Sequence, residues 1–362
     1  MLVNEPPSKE ELHRRVEELV AVESLEGPEL CDAYIQASKL VRYNDPRLMV
    51  SLAAMAVQMA RNLDPQEYGG AEVVDCRCRT LIELGNAFRV ADSHDEAGVA
   101  LGEAERLWHE GTRDEVLHAR LFDYQASLYA ARRDFAAASQ ALDIVHAIYK
   151  RLGKVHLAGR ALISKGIYRG YAGDEKGAIE LLRDGLEQID PELDPNLRFA
   201  AVQSQAYFLA VLGQLRESRK LLWGHYFPAD VVQAQTNRLK LRWVEALIEA
   251  GLGDEKRAEE WLLEVTQGFQ KEGLSYKAAL AGLDLVHLWY RQGRKKEVLD
   301  FVASLVEVFR TYNINREAMV ALSLLETALK EGVEAGAILD RVALFLRRVE
   351  TQAGITFEDW FL

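Results

Sequence analysis

Apolar residues recur at three- and four-residue steps through almost the whole chain, as at Leu181, Leu182, Leu186 and Ile189. That spacing gathers them on one face of a helix. Sustained apolar–polar alternation and Asn-Gly dipeptides, the marks of strands and hairpins, are absent. The pattern predicts helices in pairs: 71–90 with 95–110, 115–132 with 135–151, 155–172 with 175–189, and 195–212 with 215–226. Four more helices complete two further pairs, 231–250 with 255–271 and 274–291 with 295–312, and 315–331 with 335–350 forms the last.

The pairs are copies of one unit. From Ala178, forty-residue steps reach Ser218, Ala258, Val298 and Ile338; backwards they reach Ala138 and, after forty-one, Ala97. Five positions before this anchor stand Gly173, Gly213, Gly253 and Gly293, with Arg133 and Asp92 in the earlier copies. Twelve positions before it stand Gly85, Ala126, Gly166, Ala206 and Ala246, then Val286. A fixed period of this length is the mark of a repeat protein, in which each unit buries its apolar face only by stacking on its neighbours. The small residue at the minus-twelve position is expected to let the first helix of each pair approach the second closely.

Before the array, Ser8 and Glu11 form a capping box that opens a helix to about Glu23, and Glu26-Gly-Pro28 breaks it. A first pair, 29–43 with 46–62, turns at Asp45-Pro46, where proline at the first helical position is favourable. A loop over 63–70 then interrupts the period. The domain reading is a 1–28 N-terminal capping helix, a 29–70 divergent first helix pair and loop, a 71–350 array, and a 351–362 apolar C-terminal tail.

Composition narrows the function. Of 362 residues, 49% are hydrophobic and 28% charged, as in a well-folded soluble protein. A net charge of −12 and a pI of about 5.3 argue against nucleic acid as the main partner. Three cysteines, Cys31, Cys76 and Cys78, are too few for a disulfide framework and suit a reducing cytosol. No run approaches a membrane span and no apolar signal core opens the chain, so the expected setting is cytoplasmic, with no membrane partner.

Leu84-Gly85-Asn86-Ala87-Phe88, followed by Glu96-Ala97 and Ala104, resembles the tetratricopeptide repeat, and Gly173-Asp174, Ala178 and Leu182 match its second half. The resemblance covers about 71–350 and is strongest in the repeats anchored at Ala97, Ala138, Ala178 and Ala258. The forty-residue period is longer than the family's ~34 residues, as in long-helix variants similar to the sensor regions of bacterial regulators that bind peptides or effector proteins. HEAT-type repeats share the longer period but lack the Gly/Ala/Ala pattern. The resemblance implies an all-α fold, a right-handed α-α superhelical solenoid of about eight antiparallel helix pairs.

It also implies that partners bind a concave face lined by the first helix of each pair. Carried over by position, that face includes Arg79, Asn86, Arg89, Arg120, Tyr124, Ser127, Arg160, Ser164, Gln203, Tyr207, Lys240 and Trp243. Its second position is basic in four repeats (Arg79, Arg120, Arg160 and Lys240), a positive stripe suited to an acidic segment or a C-terminal carboxylate. Asn86 stands where the family often clamps a peptide backbone through an amide. The competing reading has the arginines pairing with Asp75, Asp123 or Glu83, and Trp243 and Tyr207 packing between repeats.

No catalytic constellation emerges. Cys76 and Cys78 lie two apart in a helix and point to different sides, and no second Cys or His pair completes a zinc site. The eight histidines show no metal-binding spacing, and there is no phosphate loop, dinucleotide fingerprint or nucleophile elbow. The reading is therefore a non-enzymatic interaction scaffold that binds a peptide or protein segment as a regulator, adaptor or inhibitor, with no cofactor and no metal. The alternative is a structural or assembly protein that oligomerises through its edges or through the tail over 354–362, whose apolar residues otherwise fold back over the last repeat.

Overall fold

The computed structural model describes residues 9–20, 25–42, 45–311, 316–330 and 336–349. Among these, every regular element is helical. The capping serine Ser8 and the tail over 354–362 lie outside the described residues. The chain divides into two compact units, Met1–Ala161 and Leu162–Leu362, and the division falls within a helix.

In the first unit, α1 (Lys9–Val20) packs on α2 (Gly27–Leu40), which pairs with α3 (Pro46–Arg61). The one-turn α4 (Pro65–Tyr68) follows, so the 63–70 segment expected to be a loop contains a turn of helix. Asp64 caps it by accepting from the Gln66 amide at 2.8 Å. Then come the pairs α5 (Gly70–Val90) with α6 (His94–Glu110) and α7 (Glu115–Ala131) with α8 (Phe135–Arg151), and the start of α9 (Val155–Tyr171). The core of this array is built by the periodic apolar positions, with Leu81, Ile82, Leu101, Leu121 and the anchor Ala97 all buried.

The second unit takes the rest of α9, then α10 (Glu175–Gln188), α11 (Pro195–Val211), α12 (Leu215–Trp223), α13 (Ala229–Gln233), α14 (Gln235–Leu252), α15 (Glu255–Lys271), α16 (Ser275–Arg291), α17 (Lys295–Thr311), α18 (Arg316–Lys330) and α19 (Gly336–Val349). The repeat is irregular after α11. The expected 215–226 helix ends at Trp223, and the expected 231–250 helix is two helices, broken at Ala234. In both units a first helix touches its own partner and the first helix of the next pair, as α5 touches α7 and α11 touches α14. This is the contact pattern of a stacked repeat, an α-solenoid within each unit.

The repeat signals have local physical causes. Gly173 at φ +87° closes the turn before α10, and Asp174 then caps that helix by accepting from the Gly177 amide at 2.9 Å. Aspartates cap α3, α7, α8, α11 and α15 in the same way. Arg133 and Asp92, which stand where later copies have glycine, hold the same left-handed backbone at φ +64° and +59°, a conformation side chains disfavour.

The seam residues behave as their size implies. A Cβ at Gly166 would lie 2.9 Å from Leu182 Cγ and 3.1 Å from the carbonyl oxygen of Ala178, the anchor of the same pair. Because one obstacle is backbone, Gly166→Leu is expected to overpack the α9–α10 seam and cost roughly 1–3 kcal/mol. Chemical denaturation followed by circular dichroism checks this; an unchanged midpoint would show that the seam yields.

Candidate functional site

The first helices of the first unit, α5 and α7 with the start of α9, carry most of the charge predicted for the site. Glu83 on α5 is the buried centre, with its side chain 1% exposed. Lys39 Nζ approaches its carboxylate at 3.0 Å, Arg120 at 3.8 Å, and the Tyr124 hydroxyl donates to it at 3.3 Å. Burial, together with Glu83 and Asp123, pushes the Tyr124 phenol well above its ordinary pKa.

Asp123 on α7 is a second, half-buried carboxylate. Arg160 reaches it at 3.5 Å, and Arg42, Arg89 and Arg120 lie near enough for their charge to act on it. Desolvation raises its pKa, and those four arginines oppose the rise. Five cations (Lys39, Arg42, Arg89, Arg120 and Arg160) thus gather around these two carboxylates, a concentration of basic side chains in an acidic protein. Arg79 stands one turn before Glu83 and pairs with Asp32 at 3.4 Å.

The remaining predicted residues of this unit are committed to local contacts. Asn86 is 1% exposed, and its amide oxygen accepts from Arg89 at 2.8 Å and 3.3 Å. The Ser127 hydroxyl donates back to the Asp123 carbonyl at 3.0 Å, as serine in a helix interior often does. The ion pairs that competed with a binding role are present at Glu83 and Asp123. Lys39 and Arg42 had no place in the sequence reading, because α2 precedes the periodic array and carries no copy of its register.

In the second unit the structure brings together Tyr207 and Trp243, with Lys240 one turn before Trp243 on α14. Trp243 is 7% exposed, lies 5.3 Å from the Tyr207 ring and 5.9 Å from Phe269 between ring centroids, and donates its indole N–H to Asp284 on α16 at 2.8 Å. Gln203 is buried, whereas Tyr207, Lys240 and Ser164 are half-buried; Ser164 on α9 is not joined to the Tyr207–Trp243 cluster by a hydrogen bond or ring contact.

Lys240, one turn before Trp243, makes no hydrogen bond or ion pair among the described residues. Burial, with Lys277 nearby, pushes its pKa down to about 8. An unfolded-chain lysine titrates near ~10.4. Below about pH 8 the native ammonium bears its full desolvation penalty; between about 8 and ~10.4 the folded lysine is neutral while the unfolded one is not, so the penalty fades. Lys240→Met is therefore expected to be more stable than the parent by roughly 1–3 kcal/mol at pH 7, with the gap narrowing towards pH ~10. Urea midpoints at the two pH values test this; a gap that does not narrow would assign it to packing rather than charge.

Among the described residues no group of three or more His, Cys, Asp and Glu side chains could hold a metal, and no helix is long and apolar enough to cross a membrane. No family model matches this chain, and neither does any curated protein. Among solved structures, the chain is similar to the crystal structure of a Rap protein complexed with competence and sporulation factor. The TM-score is 0.61 at 11% identity, covering 89% of this chain and 99% of that one. At that identity the likeness speaks for the fold alone, and it agrees with the hairpins, glycine turns and small-residue seams already described: the protein has a TPR-like helical repeat fold.

Proposed function

We propose that the protein is a non-enzymatic, cytoplasmic regulator that binds a peptide or protein segment on the face built by the first helices of its repeats. The observation that carries this reading is the cation-rich face around Glu83 and Asp123, which a protein of net charge −12 keeps on the helices that repeat proteins of this fold use for partners. The solved structure of the same fold in complex with competence and sporulation factor supports it. The ligand chemistry that suits the face is an acidic segment or a C-terminal carboxylate, since the guanidinium groups of Arg89, Arg120 and Arg160 hold carboxylates through paired N–H donors. Tyr207, Lys240 and Trp243 form a second candidate surface in the other unit.

Fluorescence anisotropy with labelled acidic, neutral and basic peptides of equal length tests the proposal. Acidic peptides should bind, and more weakly as salt rises. Arg160→Gln removes a cation that is 44% exposed without adding charge beside Asp123; it should weaken binding severalfold, and Arg160→Glu by roughly tenfold or more, with helicity unchanged. A preference for basic peptides, or equal affinity in the Arg160 variants, would refute the basic face as the binding surface.

A further inference from the structure

The three cysteines are not equivalent. Cys78 on α5 is buried and turned towards α6, where its thiol donates to the Ala104 carbonyl at 3.2 Å. Cys76, two residues earlier, points to the other side of the helix and meets Cys31 of α2. Cys31 and Cys76 are 0% and 1% exposed and share one small cluster with Ala60, Leu63 and Val73. Arg79, one turn along α5, pairs with Asp32 of α2 at 3.4 Å and lies near enough to favour negative charge on Cys76. Two thiols from packed helices, forty-five residues apart in sequence, thus share one small buried cluster beside a guanidinium that stabilises negative charge on one of them.

From this arrangement we infer that Cys31 and Cys76 are a peroxide-responsive thiol pair, which closes to a disulfide that locks α2 onto α5. Cys76 is the attacking sulfur. Its pKa is lowered to about 7, chiefly by the interaction with the Cys31 thiol and further by Arg79, whereas Cys31 is pushed well above the ordinary thiol range. The Cys76 thiolate attacks hydrogen peroxide, forming an S–O bond and breaking O–O; hydroxide leaves and takes up a proton as water, and Cys76 becomes a sulfenic acid. Cys31 then attacks that sulfur. An S–S bond forms, the S–OH bond breaks, and the hydroxide departs with the Cys31 proton as a second water, so that two thiols and one peroxide give one disulfide and two waters.

Access is the evident obstacle for buried thiols, and the cover on this side is slight. Tyr68 packs on the cluster from the one-turn helix α4, which has no buried residue of its own. A single helical turn gains little from propagation, so its local opening costs far less than unfolding of the unit. A transient disulfide of this kind belongs to a reducing compartment, where structural disulfides do not.

The test uses the full-length, reduced protein at pH 7, treated with hydrogen peroxide, quenched with an alkylating agent and digested without reductant for mass spectrometry. The expected product is a cross-linked peptide joining Cys31 to Cys76, with Cys78 recovered as an alkylated free thiol. Cys31→Ser should leave Cys76 as a sulfenic acid that dimedone traps. Arg79→Gln should slow closure roughly fivefold at pH 7, the loss of thiolate being partly offset by its greater nucleophilicity. Tyr68→Ala should speed it by uncovering the cluster. Oxidation of Cys76 to sulfinic acid without a cross-link would overturn the proposal, as would a cross-link involving Cys78. Should Cys31→Ser fail to fold, the wild-type peptide map and the Arg79→Gln rate still decide it.

Discussion

Replacing Lys39 and Arg120 together by methionine is expected to destabilise the first unit by roughly 3–5 kcal/mol, the range for a buried charge stripped of its partners. Glu83 is 1% exposed, and these two cations approach it at 3.0 Å and 3.8 Å. Methionine retains much of the apolar stem of either side chain, so the loss reports charge rather than volume. Each single variant should cost less, because the other cation and the Tyr124 hydroxyl remain. Adding Glu83→Gln to the double variant should recover part of the loss, since a neutral amide is far cheaper to bury than an orphaned carboxylate. Trp108 gives a clean readout: it is the only tryptophan before residue 162 and stacks on His118 at 3.7 Å, so its fluorescence follows this unit. A double variant that unfolds at the parental urea concentration would show that water already solvates the Glu83 carboxylate.

The second large effect is expected at Trp243. Trp243→Ala should cost roughly 3–5 kcal/mol in the second unit, as truncation of a buried aromatic side chain commonly does. The indole fills the space between Tyr207 and Phe269 and ties α14 to α16 through the 2.8 Å hydrogen bond to Asp284. Trp243→Phe keeps a ring but gives up the donor, and should cost roughly 1–3 kcal/mol for weakening a buried hydrogen bond to a carboxylate. Thermal unfolding followed by circular dichroism measures both. The pair of variants also separates two roles for this residue: if Trp243→Phe unfolds like the parent yet loses peptide affinity, the indole serves the ligand; loss of stability assigns it to packing between first helices.

Much of the fold was legible because it is written in size and flexibility, which act over a few residues. The glycine of the later turns announces a left-handed backbone, an aspartate after it, as at Gly173-Asp174 and Gly253-Asp254, announces a helix start, and the small residue twelve positions before the anchor announces a tight seam. Where those signals lapse, the reading lapsed too. The one-turn helix α4 sits in a stretch rich in turn formers, and the break at Ala234 has no glycine or proline to mark it. The candidate site was less legible. The spacing of Arg79, Arg120 and Arg160 placed them on first helices, yet which carboxylates they meet depends on how α5, α7 and α9 pack. Asn86 and Arg89 both stand on the predicted binding face, and the packed structure has Arg89 donating to the Asn86 amide oxygen.

The sequence by itself determined the element type, the unit length and the faces that must be buried, because helix periodicity and glycine geometry are local properties of the chain. Only the tertiary structure decided the electrostatics and the thiol chemistry. Whether a carboxylate is a solvated surface charge or a buried one held by cations depends on atoms brought together from distant positions, as Lys39 and Arg120 are brought to Glu83. The same holds for Cys31 and Cys76, which α2 and α5 bring from distant positions into one buried cluster beside Arg79.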